Sequence, residues 1–338
     1  MNTAITAMQD DLRKRLSKKR NSSAVYKTVR AEAPSTSANL GPGFDVFGLA
    51  LDLFYDKVEI ELVSEPGQRV IVEGLGYERV PSEVQKNTAG LVAKTVMDAM
   101  GREDGLRIKL IKGVPIGKGL GSSAASAACC VRALDELFGL SLSSKNLVEL
   151  AAYGELAATG SVHFDNAAAA VLGGFVAVSR EPLIFATLKP PADLEVAVAI
   201  PVLQLPREKT KMMRDILPKA IDLGRVTYNV AHASLLVAGM AVSDIRMIGN
   251  AMSDLIAEPV RSNTIPSFDK VRAAAFEIGA CGFTISGAGP SVIAICNRSE
   301  ANTKDVARAM KETFETGGVE CDAYSTRPSV GATVIERR

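Results

Sequence analysis

Residues Pro115-Ile116-Gly117-Lys118-Gly119-Leu120-Gly121-Ser122-Ser123-Ala124-Ala125 follow an alternating segment, 107–110, and lead through three spaced glycines into a helix expected over 122–138. A strand that turns through glycine into a helix is an anion cradle. Glycine lets successive backbone N–H groups converge, the helix start adds its partial positive charge, and a serine hydroxyl stands where it can meet a phosphate or its Mg2+. The loop is not of the G-x-x-x-x-G-K-[ST] kind. In Gly113-Val114-Pro115-Ile116-Gly117-Lys118 one intervening residue is missing, and Gly119 stands where Ser or Thr should follow the lysine. A tight Gly-rich turn without a ligand is the plain alternative; the flanking Pro115 and the Ser-Ser-Ala-Ala continuation weigh against it.

Working outward, residues 27–31 alternate before Pro34, and a Gly-, Ser- and Asn-rich turn runs to Gly43. Residues 56–62 alternate cleanly and predict a strand with one wet face. Apolar residues at helical spacing mark 91–100, and Ser144 is placed as the N-cap of a helix reaching Ala158, with Leu147, Leu150, Ala151 and Leu156 near one face. Lys189, Pro190 and Pro191 form a hinge before a buried strand over 194–200. Helices are expected over 209–223, 226–242 and 267–278, a hairpin over 282–295, and a last helix over 301–314. Strands and helices interleave without a strict βαβ repeat, which favours an α+β sandwich over a doubly wound parallel sheet. The expected organisation is an extension over 1–25, an N-terminal domain over 26–190 and a C-terminal domain over 191–338.

Composition bounds the function classes. The 338 residues carry 39 basic and 38 acidic side chains, a net charge of +1 that is too small for a duplex nucleic-acid binder. With 47% apolar and 23% charged residues and no apolar run near the roughly 20 that a membrane span needs, a soluble globular protein is expected. The cysteines, Cys129, Cys130, Cys281, Cys296 and Cys321, are odd in number and show no metal-ligand spacing, which points to a reducing cytoplasm. Residues 1–24 hold six basic residues against Asp10 and Asp11. Without them 39 less six and 38 less two leave 33 basic and 36 acidic residues, a net of −3. The segment lacks the apolar region of a secretory signal and reads as a solvated helical extension, with targeting or subunit contact as the other readings.

With the whole loop in view, the sequence resembles the GHMP kinases, named for galactokinase, homoserine kinase, mevalonate kinase and phosphomevalonate kinase. Their phosphate-loop pattern P-x-G-x-G-L-G-S-S-A is complete from Pro115 to Ala124. Two further family motifs stand in the expected order, one from Ala33 to Asp45 and one in Ser286-Gly287-Ala288-Gly289-Pro290-Ser291. Within the family, residues 33–48, His163-Phe164-Asp165-Asn166-Ala167-Ala168 and Glu258-Pro259-Val260-Arg261 resemble the homoserine-phosphorylating branch, as do residues 210–220. The resemblance implies a two-lobed α+β fold, with an N-terminal α/β sandwich bearing the phosphate-binding loop and a C-terminal ferredoxin-like lobe. It implies ATP and Mg2+, L-homoserine as acceptor and O-phospho-L-homoserine as product, in threonine biosynthesis, and a homodimer.

By that resemblance Arg214 and Arg261 take the substrate carboxylate, which suits a guanidinium fork. Asn39 and Asp45 hold the amino group and neighbouring polar atoms; His163 and Asn166 lie nearest the carboxylate and the reacting hydroxyl. Pro115, Gly117, Lys118, Gly119, Leu120, Gly121, Ser122 and Ser123 wrap the nucleotide phosphates, Asn87 is a candidate for the adenine pocket, and Thr210 lies near the transferred phosphoryl group. Ser123 and Glu155 match the Mg2+ ligands; an unpaired Glu155 among small apolar neighbours would be costly to bury. Each residue has a plainer reading: a lone Arg is usually solvated, a lone His usually a satisfied core residue, and Asn39 or Asp45 can simply build the turn.

Relatives acting on mevalonate use an Asp near the acceptor hydroxyl, where Asn166 stands here. An amide takes no proton at neutral pH, so positioning and electrostatics without an enzymic base are expected, with adjacent Asp165 as the competing base. The alternatives are another small-molecule kinase of the family, of mevalonate or shikimate type, and a nucleotide-binding regulator without catalysis.

Overall fold

The computed structural model describes residues 10, 13, 14, 16, 17, 23–204, 206 and 209–338. Most of the extension expected over 1–25 lies outside them. Of its described members, Arg13 and Lys14 are exposed but Leu16 is buried against the first core, so at that residue the expectation of a solvated segment is corrected.

Among the described residues two sheets form. The first is built on a long hairpin of β1 (Thr28–Asn39) and β2 (Gly43–Val63). The second half of β2 pairs with β4 (Gly105–Lys112), and β3 (Gln68–Gly74) joins β4 in parallel. Near its start β2 pairs instead with β5 (Phe175–Arg180), which forms a hairpin with β6 (Leu183–Leu188). Helices α1 (Thr88–Met100), α2 (Ser122–Leu137), α3 (Ser144–Gly154), α4 (Leu156–Thr159) and α5 (Phe164–Leu172) complete this lobe, with α2 on β1 and β2. Side chains such as Leu49, Ile60, Ile108, Cys129, Cys130 and Phe175 fill the space between sheet and helices. Burial of such side chains is worth roughly 1.5–3 kcal/mol each.

The second sheet has the order β10-β7-β9-β8. Its strands are β7 (Leu194–Pro201), β8 (Gly282–Ile285), β9 (Val292–Asn297) and β10 (Cys321–Thr326), all antiparallel. Between β7 and β8 come α6 (Lys209–Asp215), α7 (Leu223–Val242), α8 (Ile245–Asn250), the short α9 (Glu258–Arg261) and α10 (Phe268–Glu277), and α11 (Thr303–Thr316) precedes β10. Helices bracketing a central hairpin, with the first and third strands in the middle of the sheet, make the ferredoxin-like plan. β7 shows why an antiparallel strand here reads as one apolar run: Val196, Val198 and Ile200 face the core shared with the first lobe, while Ala197 and Ala199 face Phe268, Val306 and Phe314. Both faces are covered, so alternation disappears. After β10 the chain returns, and β11 (Thr333–Arg337) pairs with β1 in the first sheet.

Several boundaries differ from expectation. The helix expected from 144 to 158 is capped by Ser143 rather than Ser144 and breaks at Glu155. The helix expected over 209–223 ends at Asp215, since Pro218 cannot continue it and Asp222 caps the next one through Gly224 N and Arg225 N. The turn expected to run to Gly43 shrinks to residues 40–42, because β1 extends to Asn39.

Candidate active site

The phosphate loop is held by the two other motifs. Thr36 N donates to the Leu120 carbonyl at 3.0 Å, and Gly287 N to the Ala38 carbonyl at 3.0 Å. Ser286 Oγ donates to the Gly119 carbonyl at 2.8 Å and lies 2.9 Å from Ser37 Oγ. Gly119 and Gly121 have φ of +81° and +67°, in the left-handed region, and side chains at either would strike neighbouring atoms. Beneath the loop, Lys112 and Asp56 form a buried pair; Lys112 Nζ also donates to Ser122 O at 2.9 Å and Ser126 Oγ at 2.7 Å, fixing the start of α2.

Every residue expected at the site lines one cavity of about 430 Å3, from Asn39 and Asp45 through the loop to Glu155, His163, Asn166, Thr210, Arg214 and Arg261. Arg214 binds Asp45 bidentately, and Arg180, from the end of β5, reaches Asp45 Oδ2 at 2.8 Å. Arg261, 5% exposed, donates Nη2 and Nε to the Met213 carbonyl and Nη1 to the Gly287 carbonyl at 3.1 Å. Both guanidinium groups lie over the Phe44 ring, at 5.5 Å for Arg214 and 5.0 Å for Arg261. Burial lowers the pKa of Arg261, whereas the hydrogen bonds that Arg214 donates to Asp45 raise that of Arg214.

Three of the expected site residues are also tied within the protein. Asn39 donates Nδ2 to Gly287 O at 2.8 Å and accepts the Asp45 N–H at Oδ1, so its amide braces the turn. Asn87 caps α1 through Gly90 N and donates to Pro81 O at 2.8 Å, so its polar atoms serve the backbone. His163 places Nδ1 3.0 Å from Glu155 Oε2 and Nε2 3.2 Å from Ser161 Oγ, which ties the imidazole to Glu155. Burial opposes the charged imidazole, but the Glu155 hydrogen bond and the nearby acids outweigh it and hold the pKa above the ordinary value.

The chain matches two family models, the GHMP kinases N terminal domain over residues 87–174 and the GHMP kinases C terminal domain over residues 235–316. It is 41% identical over 312 residues to a homoserine kinase of Methanococcus maripaludis, covering 92% of this chain and 99% of that one. The chain belongs to the GHMP kinase family. A crystal structure of homoserine kinase from Cytophaga hutchinsonii superposes with a TM-score of 0.86 at 37% identity, covering 93% of this GHMP kinase and 99% of the other chain. Mevalonate kinase of L. major, solved with R-mevalonate, has a TM-score of 0.67 at 17% identity, covers 92% and 100% of the two chains, and shares the fold.

In this GHMP kinase the carboxylate of Glu155 is buried and receives the Ser123 hydroxyl at Oε1, 3.0 Å away. A hydroxyl and a carboxylate beside a phosphate loop are hard oxygen donors that fit Mg2+, an ion that takes few protein ligands and shares phosphate oxygens. Asn166 accepts the Thr36 hydroxyl at Oδ1, 2.8 Å, which leaves its NH2 for the cavity. Next to it Asp165 is buried, and burial, then the charge of Asp45, pushes its carboxyl up to about 6. Sequence reasoning missed Thr36, Phe44, Arg180 and Lys209 as site residues. Thr36 and Phe44 lie inside the quoted N-terminal motif, but only the fold shows that they touch Asn166 and the two arginines. Lys209 precedes Thr210 in an unremarkable charged run, and Arg180 ends a strand that no motif marks.

Proposed function

We propose that the protein transfers the γ-phosphoryl group of ATP to the side-chain hydroxyl of L-homoserine, giving O-phospho-L-homoserine in threonine biosynthesis. The observation that carries this reading is the Asp45–Arg214 pair beside the phosphate loop. An acid and a guanidinium that satisfy one another are a template for a small zwitterion, whose carboxylate and ammonium replace each partner in turn. Neither mevalonate nor shikimate has an ammonium to offer Asp45. The homoserine kinases at 41% and 37% identity over nearly the whole chain support the same acceptor.

In this reading Arg214 and Arg261 take the carboxylate and Asp45 the amine. Asn39 holds Asp45 in place, the N–H groups of residues 117–123 wrap the phosphates, and Thr210 lies near the phosphoryl group in transit. Ser123 and Glu155 would hold Mg2+, which when bound supplies charge neutralisation between phosphoryl oxygens. Asn166 directs its NH2 at the acceptor oxygen and orients it for in-line attack. No side chain need take the hydroxyl proton, since little proton movement precedes P–O cleavage in a loose transition state.

The division of the chain falls between β6 and β7 near residue 190, with β11 counted in the N-terminal domain. A homodimer is supported by α7: Thr227, Val230, Ala231, Ser234, Leu235, Ala238 and Val242 are exposed, and no charged side chain follows Arg225 on it. Such a neutral face suits an antiparallel copy of itself. The described residues contain no helix long and apolar enough to cross a membrane, and the five cysteines are unpaired, which supports the cytoplasm. Coupled ADP release with ATP, Mg2+ and separate additions of L-homoserine, mevalonate, shikimate and L-threonine tests the function. Turnover with homoserine alone is expected; turnover with another acceptor, or none, overturns it.

A further inference from the structure

We propose that Lys209 is a ligand for the terminal phosphates of the nucleotide, an ammonium set into the cleft wall against the phosphate loop and, among the described residues, kept there without a counter-ion. This rests on the reading of the cleft as a kinase site.

Lys209 opens α6, is 5% exposed, and donates Nζ to the Gly289 carbonyl. That carbonyl packs on the loop: a Cβ built on Gly119 would stand 2.7 Å from Gly289 O. The ammonium is thereby fixed beside the middle glycine of the anion cradle, on the wall that also carries Thr210 and Arg261. An ammonium has three donors. One is met by Gly289, and Lys209 lines the cavity into which a ligand must come.

Its surroundings are cationic. The charges that face it are Arg261 on α9 and Lys118 on the loop; Lys118 in turn faces Arg79 and Asp322, and Arg261 faces Asp45 and Arg214. Lys118 donates Nζ to Pro201 O at 3.0 Å, and Arg261 gives its N–H groups to the Met213 and Gly287 carbonyls. Among the described residues none of these three is in an ion pair. Three buried or half-buried cations resting on backbone carbonyls around a glycine loop concentrate positive charge on this wall of the cleft. Burial, then Arg261 and Lys118, pushes the Lys209 ammonium down to about 7. A polyphosphate alongside acts in the opposite direction, since an opposite charge within a few ångströms favours the protonated form. Binding therefore draws a proton onto Lys209 at mildly alkaline pH.

The test is calorimetric titration of the full-length protein with inorganic tripolyphosphate at pH 8, without metal, in buffers of different ionisation heat. Wild type is expected to take up most of one proton more than Lys209→Met, and the variant to bind about 10- to 100-fold more weakly. Lys209→Arg keeps a cation that does not titrate; it should retain more of the affinity than Lys209→Met while losing the uptake, and it covers the case in which the methionine variant fails to fold. Equal affinity and uptake in wild type and both variants, or no binding of tripolyphosphate to wild type, overturns the proposal. The homoserine assay separates the two readings. Lys209-dependent binding without turnover would sink the kinase reading alone, whereas normal turnover with binding indifferent to residue 209 would sink this one alone.

Discussion

Arg214 and Asp45 hold each other through two parallel hydrogen bonds, Nη1 to Oδ2 at 2.9 Å and Nη2 to Oδ1 at 3.0 Å. The pair occupies the place proposed for the amino and carboxyl groups of the substrate, so homoserine must part them. Arg180, already on the same carboxylate, keeps Asp45 from being left bare when Arg214 turns to the ligand. Replacing Asp45 by Asn removes the charge that faces the ammonium. The homoserine KM of Asp45→Asn should rise about 10- to 100-fold, the range of a lost charge-assisted hydrogen bond, with a smaller change in the KM for ATP. Initial rates at saturating ATP measure this, and an unchanged homoserine KM would take Asp45 out of the amine site.

Gly121 separates the loop from the acceptor side. A Cβ there would meet Thr36 Oγ1 at 1.9 Å and Asn166 Oδ1 at 3.1 Å, on a backbone already at φ +67°. Gly121→Ala should displace Thr36 and release Asn166, and a misplacement near 1 Å costs turnover about 100-fold. Turnover within threefold of wild type would show that the Thr36–Asn166 bond does not position the acceptor.

Asp165 and Asn166 separate two mechanisms. Asn166→Ala is expected to lower kcat, and Asp165→Asn to be milder and to keep the wild-type pH profile. A wild-type rate that falls below pH 6 and loses that limb in Asp165→Asn, with activity collapsed, would make Asp165 the base. Stability gives a second readout. The folded carboxyl titrates at about 6 against an ordinary 3.8, so its contribution is fully present below 3.8 and is lost as pH rises through 6. Asp165→Asn should therefore raise Tm at pH 8 and leave it unchanged at pH 3.5.

His163 has two possible duties, and they predict different constants. Held against Glu155, it should act on the proposed Mg2+ site, where losing the partner of a ligand carboxylate would cost about 10- to 100-fold in metal affinity. His163→Ala should raise the Mg2+ concentration for half-maximal rate by that factor and leave the homoserine KM nearly unchanged. A raised homoserine KM with a normal Mg2+ requirement would return His163 to the carboxylate.

Lys112→Met leaves Asp56 buried and short of its main partner. Breaking a buried pair costs about 3–5 kcal/mol. Urea unfolding should show a loss of that order, and one below about 1 kcal/mol would mean that Ser126 and the Gly113 and Val114 N–H groups satisfy Asp56 unaided.

What could be read from sequence was local. Gly119, Gly121 and the serines after them state their own geometry, because glycine at positive φ and a helix start are properties of adjacent residues. Residues 194–200 announced a buried strand through unbroken apolarity. What could not be read depended on distant partners. That the Asn39 amide spans to Gly287, 248 residues on, is invisible to the residues around it. The break at Glu155 hides in a sequence with helical composition, and the partners of its carboxylate, Ser123 and His163, lie 32 and 8 residues away. β5, β6, β10 and β11 have short or mixed patterns whose burial is set by the strands beside them.

The pairing of β11 with β1 also orders events during synthesis. Arg30 and Glu336 are bonded across 306 residues, and Lys27 N meets Arg338 O at 2.8 Å. At about 5–20 residues per second the ribosome needs roughly 15–60 s to make the intervening chain. Over that interval one side of β1 has no neighbour and the nascent N-terminal lobe carries an open sheet edge. Only the arrival of residues 333–337 covers that edge, so the N-terminal lobe is finished by the last strand to be made of those described.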